Sequence, residues 1–200
     1  MKSVSAFIII INLILMSLFI EACGCSSCSR REETVVPSDL LNKANDYIKQ
    51  RTGNDFFEKY ISPDFVRSKR TPPYYFLTYR LIMPDKPYVN TVIQFSIDSI
   101  GNIIKDRDII GIPDCVEGGC SFNVTEEQAV KIATDSGLEK GVKPWKTGFL
   151  WNPNLKQYTW HILSTSSESQ SSEGFRGYGK EVIIDPNSGL VLEMNDWHVN

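Results

Sequence analysis

The sequence predicts an α+β fold of tandem units, each a single helix packed on an antiparallel sheet. Three observations predict it. Two stretches carry apolar residues at helical spacing, one from Ser38 and one from Thr125. Each is followed by short runs rich in β-branched and aromatic residues, separated by clusters of Pro, Gly, Asn and Asp. The separation from Ser38 to Asp98 equals that from Thr125 to Asp185, sixty positions in each case.

The first unit is assigned to residues 38–113. Leu40, Leu41, Ala44, Tyr47 and Ile48 recur at i, i+1, i+4, i+7 and i+8, one face of a helix. Asp39 suits the first turn, and Gly53 is the natural stop. Strands are expected over 74–83, 89–98 and 102–110. Pro84-Asp85-Lys86-Pro87 breaks the first pair, and Asp98-Ser99-Ile100-Gly101-Asn102 turns the second. The second unit is assigned to 114–200. Its helix opens on Thr125-Glu126-Glu127-Gln128, a capping box in which the Thr oxygen satisfies a free amide and Gln128 reaches back. Ala129, Val130, Ile132 and Ala133 form its apolar stripe, and Gly137 ends it. Strands are expected over 147–151, 157–165, 179–185 and 190–197, with sharp turns at Asn152-Pro153-Asn154 and Asp185-Pro186-Asn187-Ser188-Gly189. The Ser-, Glu- and Gly-rich stretch 164–177 reads as a long polar hairpin loop. Equal spacing and similar closing hairpins read as a duplicated unit.

Residues 1–22 read as a signal peptide. Lys2 supplies a positive start, and Ala6 to Ile20 is apolar apart from Asn12 and Ser17. That run is short for a hydrocarbon core of ~30 Å. Ile20, Ala22 and Cys23 resemble the lipobox of bacterial lipoproteins, and Glu21 departs from it. The leading reading is that Cys23 is the lipid-attachment residue, with the membrane a partner through that anchor and the chain exported and held at the cell envelope; an ordinary signal peptide and a retained anchor are the alternatives. Residues 23–37 are polar and poor in large apolar side chains, the composition of a flexible tether. The chain has five cysteines, an odd number that a lipid on Cys23 would make even. Cys115 and Cys120 flank Val-Glu-Gly-Gly, whose glycines permit the reversal a disulfide needs. Cys25 and Cys28 are a candidate disulfide within the tether. A single CxxC lacks the four ligands of a structural zinc site, so no metal or cofactor is expected.

The net charge of −3 gives no electrostatic footprint for nucleic acid. Arg67, Lys69 and Arg70 read as a solvated loop. No phosphate-binding loop, dinucleotide fingerprint, nucleophile elbow or two-histidine metal spacing is present. His161 and His198 read as polar residues on strand faces. Asp98 and Asp185 are a conceivable carboxylate pair, but each opens a turn, where an Asp side chain caps backbone amides. Tyr75, Tyr79, Trp151 and Trp160 are the candidate ligand-contacting aromatics, a role that requires exposure. Asp98-Ser99-Ile100 resembles the short O-glycosylation sequon of some Gram-negative phyla. Asn123-Val124-Thr125 fits the N-glycosylation pattern, but Thr125 is better used as a helix cap.

The run Val124-Thr125-Glu126-Glu127-Gln128-Ala129-Val130-Lys131-Ile132-Ala133 and the closing Val182-Ile183-Ile184-Asp185-Pro186-Asn187-Ser188-Gly189-Leu190-Val191-Leu192 resemble the PepSY-like domains of exported bacterial proteins. The resemblance covers roughly 124–196, with a weaker echo over 38–110. Ser188 stands where that family usually has Thr. It implies a non-catalytic extracytoplasmic module that binds protein or peptide, in some cases modulating a peptidase. The alternatives are a carbohydrate-binding surface module using exposed aromatics, and a hydrolase with an unrecognised carboxylate site.

Overall fold

Helix α1, Ser38–Thr52, buries Leu40, Ala44, Ile48 and Thr52. These recur every fourth residue and so line one face. Leu41 and Tyr47, beside that stripe, are half-buried against the same core. Gly53, at φ 80°, ends α1 and lets the chain restart as the short helix α2, Asn54–Tyr60. The computed structural model describes residues 34–105, 109–116, 120–171 and 174–199. They belong to one compact unit, Glu33–Asn200.

Strands β1 (Ile61–Pro63) and β2 (Lys69–Thr71) pair antiparallel with the two ends of β3 (Tyr74–Ile82), in the registers Ile61↔Leu81 and Lys69↔Phe76. Strand β4 (Asn90–Asp98) runs the length of β3, with Leu77 opposite Phe95 and Tyr79 opposite Ile93. Alternation turns Tyr75, Leu77, Tyr79 and Leu81 inward with Ile93, Phe95 and Ile97, and α1 lies on this face. Tyr79 stacks on Phe95 at 5.9 Å between ring centroids, and its hydroxyl donates to Asn45 Oδ1 of α1 at 2.8 Å. Burial pushes that phenol above its ordinary titration range.

Helix α3, Glu126–Asp135, opens on the expected capping box. Thr125 Oγ1 accepts from the Gln128 amide, and the Thr125 amide donates to Gln128 Oε1 at 2.8 Å. It closes on Gly137, at φ 89°, with the Leu138 amide bonded to the Ala133 carbonyl and Leu138 buried. This is the Schellman arrangement, in which a glycine tolerates the left-handed turn. Ala129 and Ala133 pack against Trp160, Ile162, Val182 and Ile184 of the second sheet. That sheet is a plain meander, β5 (Lys146–Asn152), β6 (Gln157–Ser171), β7 (Gly174–Ile184) and β8 (Val191–Val199).

An aromatic belt joins the halves. Tyr88, from the β3–β4 turn, packs on Phe149 and Trp160 at 5.7 and 5.1 Å. Phe122, from the linker, packs edge-on against Phe149 and Tyr158. The Tyr88 hydroxyl donates to the Phe122 carbonyl at 2.6 Å, and the Trp160 indole donates to the Val124 carbonyl at 2.8 Å.

The α+β architecture stands as the sequence predicts, with several local differences. Among the described residues of the expected strand over 102–110, two bridges onto β4 are formed, Ile97↔Ile103 and Gln94↔Ile110. The charged run Lys105-Asp106-Arg107-Asp108 interrupts the aliphatic alternation between them. The expected hairpin loop over 164–177 is paired for most of its length, because β6 and β7 continue past Thr165 through a register shift to Ser171↔Gly174. Helix α2 and strands β1 and β2 lie in a segment where no periodic run stands out. Lys69 and Arg70 belong to β2, while Arg67 pairs with Asp64. Asp98 is the last residue of β4, and Asp185 directly follows the last residue of β7.

Candidate binding surface

The second sheet has two unlike faces. Tyr158, Trp160 and Ile162 of β6 point to the core and α3, so Thr159, His161, Leu163 and Thr165 point to the opposite face. Gly148 and Ile183 flank His161 there by register. Ile183 is buried, yet it belongs to neither core cluster.

A polar relay crosses this face. Thr159 Oγ1 lies 2.9 Å from His161 Nε2, and His161 Nδ1 lies 2.5 Å from Glu181 Oε1. The connectivity is that of a nucleophile, base and acid. The surroundings do not suit that chemistry. Thr159 has 0% exposure, which leaves its hydroxyl no approach for a substrate. Its strand is paired on both sides, so nearby backbone amides are committed to the ladder rather than aimed at an oxyanion. The His161 and Glu181 side chains keep 14% and 21% of their surface, enough to present an oriented polar centre to a partner. Sequence reading leaves His161 as a strand-face polar residue and gives no sign of Glu181, which comes from the neighbouring strand.

Beside this face, β8 is the last strand of the sheet and pairs only with β7. Among the described residues its outer edge makes no backbone hydrogen bond to another segment. Val191, Met194 and Val199 are exposed along it. The β6–β7 hairpin extends the surface as an arm carrying Phe175 and Tyr178, 42% and 58% exposed. Glu168 of the arm pairs with Lys143, whose ammonium sits 6.0 Å from the centre of the Phe175 ring. The sequence signal for this arm is Gly-Phe-Arg-Gly-Tyr-Gly, glycines alternating with aromatics. Glycine within a strand marks close approach. A Cβ at Gly177 would meet the Phe175 ring at 3.1 Å, and one at Gly179 would overlap the Ser164 carbonyl at 1.9 Å.

The candidate aromatics fall elsewhere, and this corrects the expectation for three of them. Tyr75, Tyr79 and Trp160 are 7%, 1% and 2% exposed, and they fill the core. Large rings on the inward face of a strand gain most by burial, and alternation alone does not say which face is inward. Trp151 is half-buried, edge-on to Tyr158 at 5.2 Å. The four do not form one surface.

Cys115 and Cys120 form a disulfide, with their Cα atoms 4.9 Å apart. The Cys115 amide donates to the Arg51 carbonyl at 2.8 Å, which ties the bridge to the end of α1. Cys23, Cys25 and Cys28 lie outside the described residues. Asp98 and Asp185 each accept amides of their own turn: Ile100 and Asn102 in one case, Asn187 and Ser188 in the other. Among the described residues no cluster of His, Cys, Asp and Glu could hold a metal ion, and no helix is long and apolar enough to cross a membrane. The chain matches no protein-family model and no curated protein.

Proposed function

We propose that this chain is an exported lipoprotein, anchored through Cys23, whose PepSY-like α+β units bind a protein or peptide at the cell envelope without catalysis. The observation that carries the binding reading is the free edge of β8. An extended segment of a partner can add there as a fifth strand, with backbone hydrogen bonds supplying affinity and the neighbouring side chains supplying selectivity. Exposed Val191, Met194 and Val199 offer apolar contacts, and Glu193 and Asp196 favour a partner strand bearing Lys or Arg. The arm with Phe175 and Tyr178 lengthens the same surface. The sealed Thr159 supports a binding role for the sheet face over a hydrolytic one. The apolar run ending at Ala22-Cys23 supports the anchor. So does the Cys115–Cys120 bridge, which leaves Cys25 and Cys28 as a pair once Cys23 carries lipid.

Two measurements test the two parts. Cys23→Ser should move the chain from the detergent phase to the soluble fraction; unchanged partition overturns the anchor. A photo-crosslinking residue at Met194, in cells that make the full chain, should give one discrete adduct that the same residue at Arg70 of β2 does not. Equal adducts at both positions, or none at Met194, overturn the β8 edge as the binding site.

A further inference from the structure

The geometry points to Ser99 as a site of O-glycosylation, a modification of the surface unconnected with the β8 edge. It rests on export of the chain, as proposed above. Asp98-Ser99-Ile100 opens the turn after β4, and Ser99 and Ile100 are both exposed, Ile100 at 65%. The Ser99 hydroxyl has no hydrogen-bond partner among the described residues. The backbone around it is fixed. The Asp98 carboxylate accepts the amides of Ile100 and Asn102 at 2.9 and 2.8 Å and the Asn102 side-chain amide at 2.8 Å. The Gly101 amide closes onto the Asp98 carbonyl at 3.1 Å, and Lys43 of α1 donates to the Ile100 carbonyl at 2.6 Å. A free hydroxyl and a bare aliphatic side chain thus stand on a rigid turn, which suits an enzyme that reads three consecutive residues on a folded chain.

The equivalent turn shows what a purely structural version looks like. There Asp185 holds its own turn amides in the same way, but Pro186 replaces the serine, is buried, and gives its carbonyl to the Val124 amide at 2.9 Å. Asn123-Val124-Thr125 is closed to modification in another way. Val124 is buried, and Thr125 Oγ1 caps α3. In the transfer, Ser99 Oγ bonds to the anomeric carbon of a sugar carried on a diphosphate donor. The bond from that carbon to the diphosphate breaks, the diphosphate leaves with the electron pair, and the hydroxyl proton passes to a base of the transferring enzyme.

The test is mass spectrometry of the full chain purified from the envelope fraction of the cells that produce it, alongside Ser99→Ala and Ser99→Thr. The expected result is a Ser99-containing peptide heavier by whole sugar residues. The increment should be lost in Ser99→Ala and kept in Ser99→Thr. A Ser99 peptide at its unmodified mass, or an increment that persists in Ser99→Ala, overturns the assignment. The N-terminal peptide of the same preparation separates the two readings. A chain cleaved and lipidated at Cys23 but bare at Ser99 removes the glycan alone. A chain with its N-terminus intact and Ser99 bare removes export and the glycan together.

Discussion

The Tyr158 hydroxyl donates a 3.0 Å hydrogen bond to the carbonyl of Gly111, joining β6 to the start of the linker that connects the two halves. Both groups are buried, and burial pushes the Tyr158 phenol above its ordinary titration range. Gly111 sits at φ 78°, and a Cβ there would lie 2.3 Å from the Val92 carbonyl and 2.7 Å from the Tyr158 hydroxyl. Tyr158→Phe keeps the ring but leaves the carbonyl unpaired, a loss of about 1–3 kcal/mol. Gly111→Ala should cost more, because the backbone of β4 cannot give way as a side chain can. Urea denaturation of both variants checks this. An unchanged midpoint for Gly111→Ala would show that the linker can leave β4 without loss.

Trp160 is expected to behave as a core residue. It is 2% exposed, touches Tyr88 and Phe149, and donates to the Val124 carbonyl. Trp160→Ala should destabilise by about 3–5 kcal/mol, the range for truncating a buried large aromatic. A ligand-contacting Trp would instead lose binding with little change in stability. Thermal unfolding of the variant separates the two, and a melting temperature within a degree or so of the parent would contradict the structure.

The sequence carried the periodic parts of the fold and missed what depends on neighbours. Both long helices were legible because Leu40, Ala44 and Ile48, and Ala129 and Ala133, repeat at helical spacing beside a Gly stop. The short pieces Asn54–Tyr60, Ile61–Pro63 and Lys69–Thr71 have no period long enough to detect, and they are held by pairing with β3. The cysteine bridge was legible because its loop is local. The burial of Tyr75 and Tyr79 was not. Alternation puts them on one face, and only α1 packing on that face makes it the inner one. Glu181 and His161 meet across two strands, so no spacing in the chain announces the pair.

The Asp98 turn should weaken in acid. Amide hydrogen bonds, first from Asn102, hold its carboxyl below the usual carboxylate range. A group whose folded pKa is depressed adds stability above its unfolded pKa, about 4 for Asp, and loses it as pH falls through the folded value. Asp98→Asn keeps an acceptor oxygen for the turn amides but cannot titrate. The variant should therefore lose less stability than the parent between neutral pH and about pH 3. Urea midpoints at the two pH values test this. Equal losses in both proteins would mean that the Asp98 carboxylate contributes nothing to the turn.

The two helix starts look alike in sequence but differ in what holds them. Thr125 has extended backbone at the N-cap of α3, and its hydroxyl and amide both take part in the reciprocal box with Gln128. Ser38 is already the first helical residue of α1. Pro37 precedes it at the cap position with no side-chain hydrogen bond to the helix amides. Removing the hydroxyl should therefore matter at one site and not the other. Thr125→Ala should cost about 1 kcal/mol, the usual loss for an N-cap. Ser38→Ala should cost nothing measurable and can even stabilise slightly, since alanine favours a helical position over serine. Paired denaturation curves give the comparison directly. Equal losses would mean that Ser38 caps α1 after all. The two helices would then begin by the same device, which would strengthen the case that the halves are copies of one unit.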